Sequence, residues 1–193
     1  MKHLIQILVS LGFVFAAKTV MADGGSVYNN TCISCHGPNA VGMASPVIEG
    51  QNKTYLATQL GDFKSGKRHD SIMNAMNGIA SGLDAATISS VAAYLSTKSA
   101  CDMPASIVNP GLGDVAAGKT AVQAHSCASC HVANSPLNAP VLSGQKSNYL
   151  VSQLTDFRSG ARKSQYMNSM AANLSDRDIN DISAFFNSQR SCP

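Results

Sequence analysis

Cys-Ile-Ser-Cys-His at residues 32–36 and Cys-Ala-Ser-Cys-His at residues 127–131 are the most informative stretches of this 193-residue chain. Both have the form Cys-x-x-Cys-His, in which two thiols can bond the vinyl groups of one porphyrin and the histidine can ligate its iron. A single copy would also be compatible with a thioredoxin-like redox pair. Because each copy lies at the same place in a repeated unit, the sequence predicts two covalently attached haem c groups.

The first 22 residues have the layout of a secretory signal peptide. A positively charged start, Met1-Lys2-His3, precedes an apolar stretch at residues 4–17, and Val20-Met21-Ala22 offers small or apolar residues for cleavage. The apolar stretch has 14 residues, fewer than the ~20 that cross a bilayer as a helix, and an uncleaved anchor is the alternative. We therefore expect residues 1–22 to be removed and the remaining protein to be periplasmic.

The composition argues against a nucleic-acid partner. Charged residues make up 13% of the chain and the formal net charge is only +3. Two of the basic residues, Lys2 and Lys18, belong to the predicted signal peptide. There is no basic run and no alternation of basic and aromatic residues. We expect a monomer that does not bind nucleic acid.

The two haem motifs lie within two copies of a longer unit. GQNKTYLATQLGDFKSGKR at residues 50–68 and GQKSNYLVSQLTDFRSGAR at residues 144–162 are identical at 11 of 19 positions. Two long units predict a tandem of domains and not a solenoid. Two prolines and two glycines within residues 101–113 interrupt any helix or strand. We predict an N-terminal domain at 23–100, a linker at 101–113 and a C-terminal domain at 114–193.

The periodicity of the apolar residues predicts an all-α fold, because they recur at spacings of three and four and nowhere alternate as in a strand. One helix is predicted over residues 55–63 and again over 149–157, with Gly66 and Gly160 at the ends. A last helix in each unit begins at an N-cap, Asp84 or Ser175, and the second of these has a capping-box-like start. Further helices should lead into the haem motifs, around residues 26–32 and 115–127.

A methionine is the predicted sixth ligand of each iron, since a thioether together with histidine gives a six-coordinate iron of raised potential. Four methionines form two pairs, Met73 with Met76 and Met167 with Met170. Aligning the capped helices sets Met76 opposite Met167 and favours these two. Keeping the upstream register would choose Met73 instead, because the first loop is three residues longer. For any one methionine, core filling is the alternative.

Two histidines and two prolines complete the candidate residues. His69 and His125 have no counterparts in the other unit, and we expect both to be surface residues. Pro46 and Pro140 each lie four residues before the repeated glycine. A carbonyl at that place could accept the second N–H of the proximal histidine and fix its ring. A simple loop proline is the alternative.

Together these features resemble the cytochrome c4 family, dihaem proteins made of two class I cytochrome c domains. The resemblance covers essentially all of the chain after residue 22, including Pro-Val-Ile-Glu-Gly-Gln at 46–51 and Pro-Val-Leu-Ser-Gly-Gln at 140–145. It implies two tandem domains, each wrapped around one haem. The implied site residues are Cys32, Cys35, Cys127 and Cys130 for covalent attachment, His36, Met76, His131 and Met167 as axial ligands, and Pro46 and Pro140 in support of the histidines.

The two remaining cysteines, Cys101 and Cys192, each follow the last helix of a unit, 91 residues apart. Spare thiols in an oxidising compartment favour a disulfide. If the domains are related by a pseudo-two-fold axis, equivalent residues can meet across it. We therefore predict a Cys101–Cys192 bridge.

The resemblance implies electron transfer in the periplasm, between a respiratory donor and a terminal oxidase or similar acceptor. The partners would be redox proteins such as an oxidase, a cytochrome complex or a copper protein, with loose membrane association in some family members. Saturated irons leave no place for a substrate, so we do not expect an enzyme. The alternatives are a cytochrome subunit of a larger dehydrogenase and a dihaem peroxidase-like enzyme with one open haem site.

Overall fold

The computed structural model describes residues 23–38, 45–70, 73–99, 112–133 and 135–189. Regular structure within these ranges is helical, with no strand, which confirms the predicted all-α class. The N-terminal unit contains α1 (Gly24–Val27), a π-helical segment (Tyr28–Cys32), α2 (Ile33–His36), α3 (Lys53–Ser65), α4 (Ala75–Ser81) and α5 (Ala85–Ser96). The C-terminal unit contains α6 (Val115–Ala124), a 3₁₀ turn (Cys127–Ser129), α7 (Ser147–Ser159), α8 (Met167–Ala171) and α9 (Asp176–Ser188).

Some predictions fall outside the described residues. These are the signal peptide, the pair Cys101 and Cys192, and nearly all of the linker at 101–113. The domain boundaries and the disulfide therefore stay predictions. None of the described helices is long and apolar enough to cross a membrane.

In each unit the first helix crosses the last one at a glycine. A Cβ on Gly24 would lie 2.2 Å from the carbonyl oxygen of Ser90, and a Cβ on Gly118 would lie 1.9 Å from that of Asp181. Both distances are far below van der Waals contact, so only glycine permits these helices to approach so closely. The crossings join the two ends of each unit and close it around its core.

Local signals fix where the other helices begin and end. Gly66 and Gly160 adopt left-handed φ angles of 74° and 78° and end α3 and α7, as predicted. The Asp84 side chain accepts the N–H of Thr87 at 2.7 Å and begins α5. Ser175 and Asp178 form a complete capping box at the start of α9.

The two units differ at the haem motif. In the first, helical structure runs without interruption from Gly24 to His36 through the π-helical segment. In the second, α6 ends at Ala124, three residues earlier than predicted. The cause is Ser126, which has a left-handed φ of 52° and cannot continue the helix. Cys127 therefore begins a separate turn.

Candidate haem-binding sites

The histidine of each motif is hydrogen-bonded in the same way, with His36 buried and His131 half-buried. Nδ1 of His36 lies 2.8 Å from the carbonyl oxygen of Pro46, and Nδ1 of His131 lies 2.8 Å from that of Pro140. If Nδ1 carries the proton, Nε2 is left with a free lone pair, as a metal ligand requires. Burial lowers the pKa of both histidines and so favours this neutral form.

The motif cysteines do not have the character of a redox pair. Cys32, Cys35, Cys127 and Cys130 are not joined in disulfides. A reactive Cys-x-x-Cys pair needs a thiolate of lowered pKa, whereas burial raises the pKa of Cys32 and of Cys127. The thiols instead line the same cavity as the two histidines.

Asparagines that follow two of the methionines settle how the units align. Nδ2 of Asn77 donates to the carbonyl oxygens of Phe63 and Arg68, both at 2.8 Å. Asn168 makes the same pair of bonds in the other unit, to Phe157 at 2.7 Å and Arg162 at 2.8 Å. The three extra residues of the first unit therefore lie before Asn77, and Met76 is structurally equivalent to Met167.

Exposure separates the members of each methionine pair. Met76 and Met167 are half-buried at the cavity, whereas Met73 is 77% exposed and Met170 is 45% exposed. Met167 also packs on the core of its own unit. His69 is exposed, and His125 is half-buried at the end of α6.

Both sites open into one continuous cavity of ≈1550 Å³ that is lined by the two units together. Ordinary single-ligand sites have volumes of about 300–1,000 Å³. The cavity is therefore large enough for two bulky groups.

Two glutamines join the units across the cavity. Oε1 of Gln145 accepts the N–H of Val47 at 2.8 Å, and Nε2 donates to the carbonyl oxygen of Val47 at 2.8 Å. Gln51 makes the reciprocal bonds, accepting from the N–H of Val141 at 3.0 Å and donating to its carbonyl oxygen at 2.6 Å. Equivalent residues thus meet equivalent residues, so the units are related by a pseudo-two-fold axis.

An arginine from each unit extends this symmetric contact. Arg68 donates to Gln59 of its own unit at 2.7 Å, and to Tyr149 at 3.1 Å and Gln153 at 2.8 Å in the other. Arg162 makes the reciprocal bonds: it donates to Gln153 of its own unit at 2.6 Å, and to Tyr55 at 3.2 Å and Gln59 at 2.7 Å in the other. Two guanidinium groups are therefore held at the junction of the units.

The two guanidinium groups lack an acidic partner, and one of their N–H groups lacks a hydrogen-bond acceptor, which indicates an anionic ligand. Within the described ranges, no carboxylate forms an ion pair with Arg68 or Arg162. The buried Nε of Arg68 has no hydrogen-bond partner. Each guanidinium lies over a phenylalanine ring, at 4.4 Å from the centroid of Phe63 or 4.5 Å from that of Phe157. Because both arginines line the cavity, a ligand with carboxylate groups would supply a countercharge for both and an acceptor for Nε of Arg68.

Comparison with known proteins identifies the family. The family model described as "Cytochrome c" matches residues 21–99 and 115–190. The chain is 32% identical over 200 residues to cytochrome c4 of Pseudomonas aeruginosa, covering 95% of this chain and 96% of that protein. The chain belongs to the cytochrome c4 family. As a cytochrome c4 it is a dihaem electron carrier with one haem c in each domain.

Two further similarities agree with this assignment. The crystal structure of reduced recombinant cytochrome c4 from Pseudomonas stutzeri superposes with a TM-score of 0.68 at 28% identity, covering 86% of this chain and 96% of that one. A protein of Stutzerimonas stutzeri named thiosulfate dehydrogenase electron acceptor is 33% identical over 187 residues, covering 86% of this chain and 85% of that protein. The predictions of family, fold class and cofactor are confirmed.

The residues of the cavity suit haem c in every part that the structure describes. Two thiols and an imidazole line each site, and the propionates of haem c would supply carboxylates for Arg68 and Arg162. The glutamine, tyrosine and arginine contacts between domains were not predicted from the sequence. A signal for them was present: the polar residues Gln51, Tyr55 and their repeat partners are identical in both units, although polar surface positions need no such identity.

Proposed function

We propose that this cytochrome c4 is a periplasmic one-electron carrier in which both irons are ligated by histidine and methionine. The ligands are His36 and Met76 in the N-terminal domain and His131 and Met167 in the C-terminal domain. The observation that carries the proposal is that both sites have the same hydrogen bonds. In each site a prolyl carbonyl oxygen bonds to the histidine, and the asparagine that follows the methionine bonds to two backbone carbonyl oxygens.

The chain's residues prepare each site for electron transfer and not for bond chemistry. Bound haem c supplies the reversible one-electron change of its iron. The prolyl carbonyls of Pro46 and Pro140 hold the imidazoles in one orientation and one tautomer. The bonds of Asn77 and Asn168 hold the methionine segments in place. A site preorganised in this way would change little between oxidation states, and an iron that bound both histidine and methionine would have no open coordination position.

Methionine substitutions test the ligand assignment. Ferric haem c with a methionine ligand has a weak sulfur-to-iron absorption band at the red end of the spectrum. Met76→Ala and Met167→Ala should each remove half of this band, while the control variants Met73→Ala and Met170→Ala should keep all of it. Loss of half of the band in Met73→Ala with retention in Met76→Ala would show that the upstream register is correct.

Exposed apolar side chains around the C-terminal site support a redox-protein partner. Leu137, Tyr166 and Met170 are exposed and line the mouth of the cavity there. Transient redox complexes use small interfaces of less than about 1,200 Å². We propose that the acceptor, a terminal oxidase or another periplasmic redox protein, binds at this rim. Replacing Tyr166 by Ser should slow oxidation by the acceptor without changing the midpoint potentials, whereas an unchanged rate would place the contact elsewhere.

A second candidate function is electron acceptance from a dehydrogenase, since one similar protein is named thiosulfate dehydrogenase electron acceptor. Stopped-flow mixing of the oxidised protein with a thiosulfate dehydrogenase and thiosulfate distinguishes this donor from others. Rapid reduction of both haems would support it. Carbon monoxide binding to the ferrous protein would instead reveal an open iron and favour the peroxidase-like alternative.

A further inference from the structure

The surroundings of the two haem sites differ in buried charge. Glu49, the single glutamate of the chain, is 5% exposed, whereas the equivalent residue of the C-terminal domain, Ser143, is exposed. Lys146 is 2% exposed and lies where the N-terminal domain has Asn52. Both buried charges therefore depart from the repeat. They also lie next to the glutamine contacts that join the domains.

The carboxylate of Glu49 is held on the N-terminal side of this junction. The hydroxyl of Tyr28 donates to one carboxylate oxygen, and the backbone N–H of Ile48 lies 3.1 Å from the other. Tyr28 is buried and belongs to the π-helical segment that leads into the first haem motif. Counting from the motifs, its equivalent in the C-terminal domain is Gln123, which is exposed. The arrangement is thus confined to one domain.

Both charges lie close to the residues that hold the N-terminal haem site. Glu49 follows Pro46 by three residues, and the carbonyl oxygen of Pro46 lies 2.8 Å from Nδ1 of His36. Tyr28, the partner of Glu49, packs in the same cluster as Cys32 of the first haem motif. Lys146 follows Gln145, which bonds to Val47 next to Pro46. A buried carboxylate is therefore present beside the N-terminal site, and its counterpart in the C-terminal domain is an uncharged serine.

We propose that Glu49 makes the two haems unequal, by stabilising the oxidised N-terminal haem and so directing the electron to the C-terminal one. The inference rests on the proposed function, because it requires two histidine- and methionine-ligated redox centres. Oxidation adds one positive charge to the iron, which a buried carboxylate stabilises and a buried ammonium group destabilises. Lys146 is thus expected to offset part of the effect.

The size of the effect follows from comparable charge pairs. An opposite charge nearby shifts a proton equilibrium by about one to three pKa units. We expect the lower end here, since the carboxylate is hydrogen-bonded to Tyr28 and the proximal imidazole to Pro46. This predicts a change of about tenfold in the distribution of the electron between the haems, which corresponds to ~59 mV for a one-electron couple.

Redox titration of the holoprotein tests the proposal. The two midpoints are measured by spectroelectrochemistry and assigned to their haems by proton NMR of the ferric haem methyl groups. Glu49→Gln keeps a hydrogen-bond acceptor for Tyr28 and should raise the N-terminal midpoint by ~59 mV, equivalent to tenfold, with the C-terminal midpoint unchanged. Lys146→Met should lower the same midpoint. Loosened packing would not raise the midpoint potential of one haem in the first variant and lower it in the second.

Asp84→Asn is the matched control. It removes the same charge from the same domain at an exposed position and keeps a good N-cap residue. Solvent screens this charge, so the midpoints should hardly move. A Glu49→Gln shift no larger than that of Asp84→Asn, or an equal shift of both haems, overturns the proposal. If the wild-type protein contains two methionine-ligated haems, such an outcome refutes the role of Glu49 and leaves the proposed function intact. If the wild-type protein does not contain two such haems, both proposals fail.

Discussion

Gln145 and Gln51 occupy equivalent positions of the repeat, yet the structure predicts that their replacement by alanine has unequal costs. Gln145 satisfies both backbone polar groups of Val47, each at 2.8 Å. Gln145 and Val47 are both only 5% exposed. Gln51 does the same for Val141, but Val141 is half-buried. Water can therefore replace the lost side chain at Val141 and not at Val47.

The expected magnitudes follow from these two environments. A buried polar group without a partner costs about 1–3 kcal/mol, whereas a hydrogen bond exchanged for water has a net value of about 0.5–1.5 kcal/mol. Gln145→Ala leaves both groups of Val47 buried without this partner, together with the N–H of Lys146 that also donates to Gln145 at 2.9 Å, and should lower the free energy of unfolding by about 2–5 kcal/mol. Gln51→Ala should lower it by about 1–3 kcal/mol, and always by less than Gln145→Ala.

Equilibrium unfolding of the ferric holoprotein in guanidinium chloride measures both costs. Far-ultraviolet circular dichroism and haem absorbance are recorded together, because a two-domain protein is two-state only if these transitions coincide. Gln123→Ala, at an exposed position of α6, is the control and should change stability by no more than about 0.5 kcal/mol. Equal costs for the two interface variants, or a Gln145→Ala cost no larger than the control, would refute the reasoning.

Three further outcomes are expected from local features. Gly118→Ala should destabilise the protein by about 3 kcal/mol in thermal unfolding, since its Cβ would lie 1.9 Å from the carbonyl oxygen of Asp181. Gly61→Ala is the control: a Cβ there would have no atom within 4 Å, and it should stabilise the protein by about 0.5–1 kcal/mol because Gly61 lies in the middle of α3. Ser175→Ala should cost about 1 kcal/mol by loss of the α9 capping box, and an unchanged melting temperature would contradict this. Burial, together with Glu49, raises the pKa of Tyr28 above its ordinary value of 10.0. The unfolded chain therefore releases this proton first, so stability should fall as the pH rises above about 10, and less steeply in Tyr28→Phe.

What could be predicted from the sequence was set by local chemistry. Gly66 ends α3 because a left-handed residue is needed there, and Ser175 begins α9 because an N–H needs an acceptor. The early end of α6 had no such signal, because Ser126 adopts a left-handed conformation that a sequence normally marks with glycine. The repeat identity of Gln51 and Gln145 marked these residues as important, but it did not give their partners, because helical periodicity shows which face is buried and not which domain covers it.

The repeat also shows how one chain can build two sites that are alike in structure and unlike in charge. Identical polar residues, such as Gln51 and its partner Gln145, form the pseudo-two-fold contact, because a self-complementary interface requires the same groups on both sides. A charge that obeyed this symmetry would act equally on both sites. A residue that breaks the repeat while remaining buried, as Glu49 does, can favour one site over the other, because solvent screens it little. Buried differences between the two units are therefore where a preferred direction of electron transfer can originate.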